Sequence, residues 1–302
     1  MKTIVGITGT TAVGKSEVAV NLAKMLNSEI VSADSMQIYK GMNIGTAKIS
    51  FEEMRGIPHH MIDIVEPNCN YSSFLYQQDA SAIINSMNCL PIVVGGTGFY
   101  FDSLLYPPEF GTANEARRAE LQQILQTEGL SVLQDLLNQL DLDAYDKIDL
   151  NNPKRVIRAI EIAENGEKFT QGVGKTNPRY NIILFVLQCD RSQLYNKIDK
   201  RVDQMIQLGL VEEVEGLVAK YGYLDTSAFS AIGYKEVIDF LKGNVTLSDA
   251  IAQIKLNSRH YAKRQITYIK KMNVTEFISV DGKTSEEIAS HIRNQLCDIG
   301  II

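Results

Sequence analysis

Several features that would assign this chain to a special class of protein are missing from its sequence. The four cysteines, Cys69, Cys89, Cys189 and Cys297, are too far apart for a CxxC-type metal site. All lie in or beside apolar segments, so we expect buried free thiols in a reducing compartment. No apolar run approaches the length of a membrane span, so no membrane partner is expected. No signal peptide precedes the first predicted strand, and we therefore expect a cytoplasmic protein.

The sequence also lacks an excess of positive charge, although its charges are unevenly distributed. It has 30 Lys and Arg against 36 Asp and Glu, a net charge of −6, which gives no overall attraction to nucleic acid. Between Asp249 and Glu276, however, there is no acidic residue at all. The basic and aromatic residues of this window are Lys255, Arg259, Tyr261, Lys263, Arg264, Tyr268, Lys270 and Lys271. Basic side chains four residues apart with interleaved aromatics favour contact with a nucleic acid, and the alternative is an ordinary solvated helix.

The most specific motif is Gly9-Thr10-Thr11-Ala12-Val13-Gly14-Lys15-Ser16, which fits the pattern G-x-x-x-x-G-K-S. It follows the apolar run Ile4–Ile7 and precedes a helical pattern from Val18 to Leu26, which is the context of a phosphate-binding loop. The loop N–H groups and the N-terminus of the new helix bind an anion. Lys15 adds a positive charge, and the hydroxyl of Ser16 can ligate a magnesium ion.

Apolar runs alternate with helical patterns along most of the chain. The predicted strands are Lys2–Thr8, Glu29–Ala33, Leu90–Val94, Tyr180–Cys189 and Glu276–Val280. Alternation of this kind predicts an α/β fold, here a P-loop parallel sheet flanked by helices. Residues 115–166 carry only helical patterns, which predicts an inserted all-helical module. We therefore assign residues 1–112 and 180–302 to the P-loop core and residues 113–179 to the insertion.

Two further strands end in polar residues that we expect beside the phosphate loop, because the carboxyl ends of parallel strands share one sheet edge. Asp34 follows the second strand, and Thr97 lies in the turn Gly95-Gly96-Thr97-Gly98 after the third. Asp34 fits three roles equally: a magnesium ligand, a general base, or the acceptor of an Asx turn. The Thr97 hydroxyl suits a phosphate or bridging oxygen, although its glycines fit a simple tight turn as well. Lys15, Asp34 and Thr97 should converge near one anion.

A second basic cluster lies in the helical insertion, in the run Lys154-Arg155-Val156-Ile157-Arg158. Arg155 and Arg158 are one helical turn apart and share a face. The sequence leaves two interpretations open: a contact with a polyanion, or a solvated face on which Glu161 pairs with the arginines.

Taken together, these motifs resemble the tRNA dimethylallyltransferases (isopentenyl transferases) in their bacterial form. The matching stretches are Gly9–Ser16, Asp34–Met42, Ile44–Lys48, His59–Asp63, Gly95–Tyr100, Arg155–Glu161, Arg201–Met205, Gly209-Leu210, Ile232–Glu236 and Ala262–Gln265. Their order and spacing cover nearly the whole chain. The chain departs from the family at Tyr268-Ile269-Lys270, where Trp-Phe-Arg is frequent, and it lacks the zinc-finger extension of eukaryotic members.

The resemblance implies that the enzyme transfers a dimethylallyl group from dimethylallyl diphosphate to N6 of the adenosine 3′-adjacent to the anticodon of tRNAs. Diphosphate would leave, Mg²⁺ would be the cofactor with Ser16 as its ligand, and Asp34 and Thr97 would be catalytic. The diphosphate would be bound by Gly9, Thr10, Thr11, Ala12, Val13, Gly14, Lys15, Ser16 and Arg201. The tRNA anticodon stem-loop would be bound by Asp34, Ser35, Met36, Gln37, Thr97, Arg117, Lys154, Arg155, Val156, Ile157, Arg158, Ser230, Ala231, Ile232, Gly233, Tyr234, Lys235, Arg259, Lys263 and Arg264. We expect a monomer.

Three other functions stand beside this one. A P-loop small-molecule kinase would bind ATP, but this interpretation does not explain the basic helix that lacks acidic residues. An enzyme that prenylates free adenine nucleotides would not need the arginines that face tRNA. A non-catalytic RNA-binding module would not need a complete phosphate loop together with Asp34 and Thr97.

Overall fold

The computed structural model describes residues 1–106, 114–169 and 177–302. Contacts within the chain divide it into two compact units, of which the first comprises Met1–Leu105 with Arg179–Ile302 and the second comprises Tyr106–Pro178. The predicted boundary at residue 112 lies outside the described residues. None of the described helices is both long enough and apolar enough to cross a membrane.

Strands and helices alternate along the chain. The strands are β1 (Thr3–Gly9), β2 (Ile30–Ser32), β3 (His59–His60), β4 (Ile92–Val94), β5 (Asn181–Gln188) and β6 (Glu276–Ser279). The helices are α1 (Lys15–Leu26), α2 (Phe51–Met54), α3 (Ser73–Ser86), α4 (Gly98–Leu105), α5 (Glu115–Thr127), α6 (Leu130–Leu140), α7 (Leu142–Lys147), α8 (Pro153–Glu164), α9 (Arg191–Gln207), α10 (Leu210–Tyr221), α11 (Tyr234–Leu241), α12 (Leu247–Ile269) and α13 (Ser285–Asp298).

The first unit is built on a six-stranded sheet in the order β3-β2-β4-β1-β5-β6. Every neighbouring pair of strands is parallel, as the near-continuous apolar runs predict. The central strand β1 pairs with β4 on one side and with β5 on the other, and Ile4, Val5 and Ile7 are completely buried. The predicted α/β fold with a parallel sheet is therefore confirmed.

The strand order brings three loops to one edge of the sheet. Strand β4 lies between β1 and β2, so the segments that follow β1, β2 and β4 are neighbours at the carboxyl ends of these strands. These segments begin at Thr10, Ala33 and Gly95. This is the edge at which open parallel sheets bind ligands.

The second unit is helical in its described residues and contains α5 to α8. Its core is formed by leucines of α5 and α6 packed against the apolar face of α8; the fully buried residues are Leu121, Leu133, Leu137, Ala144, Val156, Ala159 and Ile160. Helix α8 begins with Pro153 in its first turn, and the side chain of Asn152 accepts a hydrogen bond from the N–H of Arg155. Both features are typical of a helix start, where proline costs no hydrogen bond.

The four cysteines are free thiols, but the prediction that all of them are buried is wrong. Cys69 lies in an exposed turn that its own N–H closes onto the carbonyl of Glu66. Cys297 is exposed in the last turn of α13, where the preceding Leu296 takes the core position. An apolar neighbour in sequence therefore did not imply burial, because adjacent helical residues point in different directions.

Candidate active site

The phosphate loop connects β1 to α1 and has the geometry that its sequence predicts. Gly14 caps α1 with φ 80° and ψ 23°, a left-handed conformation that glycine adopts without a steric cost. Lys15 is the first residue of the helix, and its Nζ donates to the carbonyl oxygen of Thr10 at 2.7 Å. No side chain caps this helix, so its first-turn N–H groups and its positive N-terminal end are available to an anion.

Two cations and one carboxylate lie together beside this loop. Burial, together with the charge of Arg201, lowers the pKa of Lys15 to about 8, and the charge of Asp34 acts in the opposite direction. Burial also lowers the pKa of Arg201, and again Asp34 acts in the opposite direction. Arg201 extends from α9 and donates to Thr11 Oγ1 at 3.3 Å. The structure thus brings Lys15, Arg201 and Asp34 into one electrostatic cluster.

Asp34 forms an Asx turn directly after β2. Its Oδ1 accepts the N–H of Met36 at 2.9 Å, with Gln37 N–H more distant at 3.4 Å. Of the three roles that the sequence left open, the turn is therefore present. It does not exclude the other two, because a carboxylate has a second oxygen to offer a proton or a metal.

Thr97 is joined to the same turn by hydrogen bonds in both directions. The N–H of Ser35 donates to Thr97 Oγ1 at 3.1 Å, and the N–H of Thr97 donates to the carbonyl of Ala33 at 3.2 Å. The Thr97 hydroxyl also lies 3.3 Å from Ser35 Oγ. These contacts hold Thr97 next to Asp34, as the topology of the strands predicts.

Helix α12 packs over the turn that contains Thr97, and this close approach explains the glycines there. A Cβ on Gly96 would lie 2.3 Å from Nε2 of Gln265, and one on Gly98 would lie 2.0 Å from the ring of Tyr268. Tyr261, one turn before Gln265, lies close enough to the side chains of Thr97 and Gln265 for both to lower the pKa of its hydroxyl. Burial, together with the charge of Asp34, raises the pKa of Tyr261 to about 12, while these two side chains act in the opposite direction.

Sequence reasoning missed the roles of Tyr261 and Gln265. The interleaved Tyr261 and Tyr268 favour contact with a nucleic acid, but they lie at i and i+7 with Gln265 at i+4, which is the spacing of a single helix face. In the structure this face contacts the loops at the sheet edge. The same periodicity, applied to the polar residues, is the signal that could have found it.

The acid-free basic helix is only partly a free cationic surface. Lys255 pairs with Asp203 at 2.6 Å, and Arg259 forms a two-point ion pair with Asp199. Both acids belong to α9. The prediction that Arg259 binds tRNA is therefore not supported by its surroundings, because a neighbouring helix neutralises its charge.

The other end of α12 does present basic side chains to solvent. Lys263 and Arg264 are exposed. A cavity of about 400 Å³ is lined by His260, Lys263, Arg264, Thr267, Tyr268 and Lys271. A surface with this composition suits a phosphate backbone.

The segment Ser230–Lys235 is mainly structural. Ser230 and Lys235 are exposed, but Ala231 and Gly233 are buried, Ile232 is half-buried, and Tyr234 is only 2% exposed. The hydroxyl of Tyr234 donates to Glu213 Oε1 at 2.6 Å. The same carboxylate accepts the N–H groups of Asn43, Ile44 and Gly45. The predicted contact with tRNA at Tyr234 is thus corrected, because its side chain lies in the core.

The basic run of the second unit is divided between surface and core. Val156 and Ile157 lie in the core of this unit, so their side chains are not presented to any ligand. Arg158 pairs with Glu161 at 3.2 Å, and Arg117 pairs with Glu164 and Glu120. Lys154 and Arg155 are exposed in the first turn of α8, and neither makes an ion pair with another described residue.

The described residues contain no group of three or more His, Cys, Asp or Glu that could hold a metal. This still fits Mg²⁺, which usually keeps several waters and binds through one or two protein ligands together with substrate phosphates. Ser16 is exposed at the start of α1, directly after Lys15. The assignment of Ser16 as that protein ligand stays a prediction.

Comparison with known proteins gives a consistent result. A family model described as IPP transferase matches residues 37–272, and one described as isopentenyl transferase matches residues 2–64. A tRNA dimethylallyltransferase of Exiguobacterium sibiricum is 46% identical over 290 residues, covering 94% of this chain and 92% of the relative.

Solved structures agree. A tRNA delta(2)-isopentenylpyrophosphate transferase of Staphylococcus epidermidis superposes with a TM-score of 0.75 at 35% identity, covering 99% of this chain and 100% of that one. A eukaryotic dimethylallyltransferase acting on tRNA gives a TM-score of 0.82 at 27% identity, covering 99% of this chain and 80% of that one.

Proposed function

Because this chain belongs to the tRNA dimethylallyltransferase family, we propose that it transfers a dimethylallyl group from dimethylallyl diphosphate to tRNA. The acceptor is N6 of the adenosine 3′-adjacent to the anticodon, and diphosphate is released. One observation supports the chemistry above all others. Lys15 and Arg201 bring positive charge to the phosphate loop, and the carboxylate of Asp34 interacts electrostatically with both.

The cations act on the leaving group. When the C1–O bond of the donor breaks, its electron pair stays on the diphosphate, whose negative charge grows. Lys15, Arg201 and the N–H groups of the loop stabilise this charge, and such preorganised groups are usually the largest contribution to catalysis. Ser16 would hold Mg²⁺ together with diphosphate oxygens, and the bound ion would supply further positive charge there.

Asp34 acts on the nucleophile. As the new bond forms between N6 and C1, N6 loses a proton, and the carboxylate of Asp34 accepts it. A positioned general base typically contributes about 10²–10⁴-fold to the rate. Thr97 is hydrogen-bonded to the turn of Asp34 and contributes a hydroxyl beside the reacting groups. An adenosine can reach this sheet edge only if it is flipped out of its stack.

The exposed cations bind the RNA. Lys263, Arg264 and Lys271 line the basic cavity of the first unit, and Lys154 and Arg155 are exposed cations of the second. We assign these residues to phosphate contacts, with Ser230 and Lys235 as further exposed candidates. The monomeric state and the cytoplasmic location expected from the sequence stay predictions.

One assay tests the function against its rivals. The protein is incubated with labelled dimethylallyl diphosphate and Mg²⁺ in the presence of tRNA, AMP or ATP. The matched control is the same tRNA with guanosine in place of the adenosine next to the anticodon. We expect label only in the tRNA that carries adenosine. Label in AMP but not tRNA would instead assign a free-nucleotide prenyltransferase, and consumption of the ATP γ-phosphate would assign a kinase.

A further inference from the structure

Gln265 uses both ends of its side-chain amide to connect two loops. Its Oε1 accepts the N–H of Thr11 at 2.9 Å, and its Nε2 donates to the carbonyl oxygen of Gly96 at 3.0 Å. Thr11 belongs to the phosphate loop after β1, and Gly96 belongs to the turn after β4 that contains Thr97. Gln265 is only 6% exposed, so water does not compete for these hydrogen bonds.

The surroundings of this amide allow little adjustment. Gly96 must lack a side chain here, because a Cβ would lie 2.3 Å from Nε2 of Gln265. Tyr261, one turn earlier in α12, interacts with the side chains of both Gln265 and Thr97. On the other side, Arg201 donates to the hydroxyl of Thr11, whose N–H is bound by Gln265. The backbone N–H and the side-chain hydroxyl of Thr11 are thus both hydrogen-bonded to helices of the first unit, the N–H to α12 and the hydroxyl to α9.

We propose that Gln265 is a positioning residue for the transfer reaction. It sets the distance between the phosphate loop, which holds the leaving diphosphate, and the turn of Thr97, which lies beside the base Asp34. This proposal rests on the proposed function for its chemistry. The connection of the two loops through Gln265, called the tether below, does not depend on that function. A misplacement of about 1 Å between reacting groups can cost on the order of 10²-fold in rate. Gln265 acts through these two loops, by its bonds to Thr11 and Gly96.

The decisive variant is Gln265→Glu, which has the same shape. Its carboxylate still accepts the N–H of Thr11, but it can donate to the carbonyl of Gly96 only when it is protonated. We expect kcat at pH 8 to fall about 10–100-fold while the KM for tRNA stays unchanged. The ratio of variant to parent kcat should rise as the pH is lowered, because protonation restores the missing donor.

The other ionisable groups near Gln265 include Tyr261, Arg264, Arg201, Lys15 and Asp34. They are present in both proteins, so the variant-to-parent ratio separates their titration from that of the new carboxyl group. Gln265→Met is the matched control, since it fills similar space but neither donates nor accepts. Its loss of kcat should not depend on pH. A variant-to-parent ratio for Gln265→Glu that is flat across pH overturns the proposal, as does an unchanged kcat in both variants.

A binding measurement distinguishes the tether from the function. Calorimetric titration with inorganic diphosphate and Mg²⁺ should give an affinity for Gln265→Met about tenfold weaker than for the parent protein, since the bond from the Thr11 N–H to Gln265 no longer fixes the conformation of the phosphate loop. Thermal unfolding checks that the variant is folded at the titration temperature. If the parent binds diphosphate but does not prenylate tRNA, the proposed function fails and the tether stands. If a folded Gln265→Met binds diphosphate as tightly as the parent, the tether fails.

Discussion

Arg259 on α12 forms a two-point ion pair with Asp199 on α9. One turn earlier in α12, Nζ of Lys255 makes a single ion-pair contact with Oδ1 of Asp203. Two of the cations that the sequence marks as a surface for nucleic acid therefore hold two helices together. Lys263, one turn later, is exposed and makes no ion pair with the described residues.

This difference predicts unequal roles in tRNA binding. Lys263→Ala should weaken binding and reduce the slope of log K against log salt by about 0.7–0.9, the value for one lost phosphate contact. Arg259→Ala should leave the slope nearly unchanged and lower the free energy of unfolding by about 1 kcal/mol or less, as is usual for partly exposed pairs. Fluorescence anisotropy at several salt concentrations measures both slopes. If the slope of log K against log salt is the same for Lys263→Ala and the parent, Lys263 makes no phosphate contact.

A conservative substitution can separate the role of Asp34 as a base from its role in the turn. Asp34→Asn keeps an oxygen that accepts the N–H of Met36, so the turn should remain. It removes the base, and kcat should fall about 10²–10⁴-fold. The tRNA affinity and the melting temperature should stay close to those of the parent. A comparable loss of tRNA affinity would indicate that the carboxylate acts in binding or structure rather than in proton transfer.

The lowered pKa of Lys15 predicts a pH dependence of diphosphate binding. With a pKa of about 8, Lys15 is a cation below that pH and becomes neutral above it. Affinity for diphosphate should therefore fall as the pH rises through 8, approaching about tenfold per pH unit for one linked proton. Calorimetry at several pH values measures this dependence. Lys15→Arg is the control, since a guanidinium stays charged and its remaining pH dependence belongs to the ligand.

Tyr234 predicts a loss of stability without a loss of RNA binding. Tyr234→Phe removes the hydroxyl that donates to Glu213, the carboxylate that also accepts three backbone N–H groups. A hydrogen bond to a charged group contributes about 1.5–3 kcal/mol, so the urea midpoint should fall accordingly. The neighbouring Lys235→Ala is an exposed control that should leave stability unchanged. If folded Tyr234→Phe binds tRNA more weakly than the parent, Tyr234 contacts tRNA and the prediction is wrong.

The sheet and the phosphate loop could be predicted because their signals are local. A continuous apolar run that ends in G-x-x-x-x-G-K-S specifies a buried strand, a loop and a helix within 26 residues. The position of Asp34 and Thr97 beside one another followed from a general rule on parallel sheets, which needs only the strand order.

What the sequence did not reveal depends on contacts between distant segments. The window 250–275 has no acid of its own, but Asp199 and Asp203 are supplied by a helix about fifty residues earlier in the chain. Val156 and Ile157 share a motif with arginines, yet their side chains are buried in the core of their unit. The bond from Gln265 to Thr11 joins residues 254 positions apart, and no periodicity predicts such a pair.

The contacts of Thr11 have a consequence for how the loop signature is used. The pattern G-x-x-x-x-G-K-S treats this position as a wildcard, yet here its N–H is bound by Gln265 and its hydroxyl by Arg201. Serine would preserve both bonds, and alanine would preserve only the bond from the N–H. Proline has neither an N–H nor a hydroxyl and would preserve neither bond. A consensus that admits any residue at this place is therefore more permissive than the architecture of this protein allows.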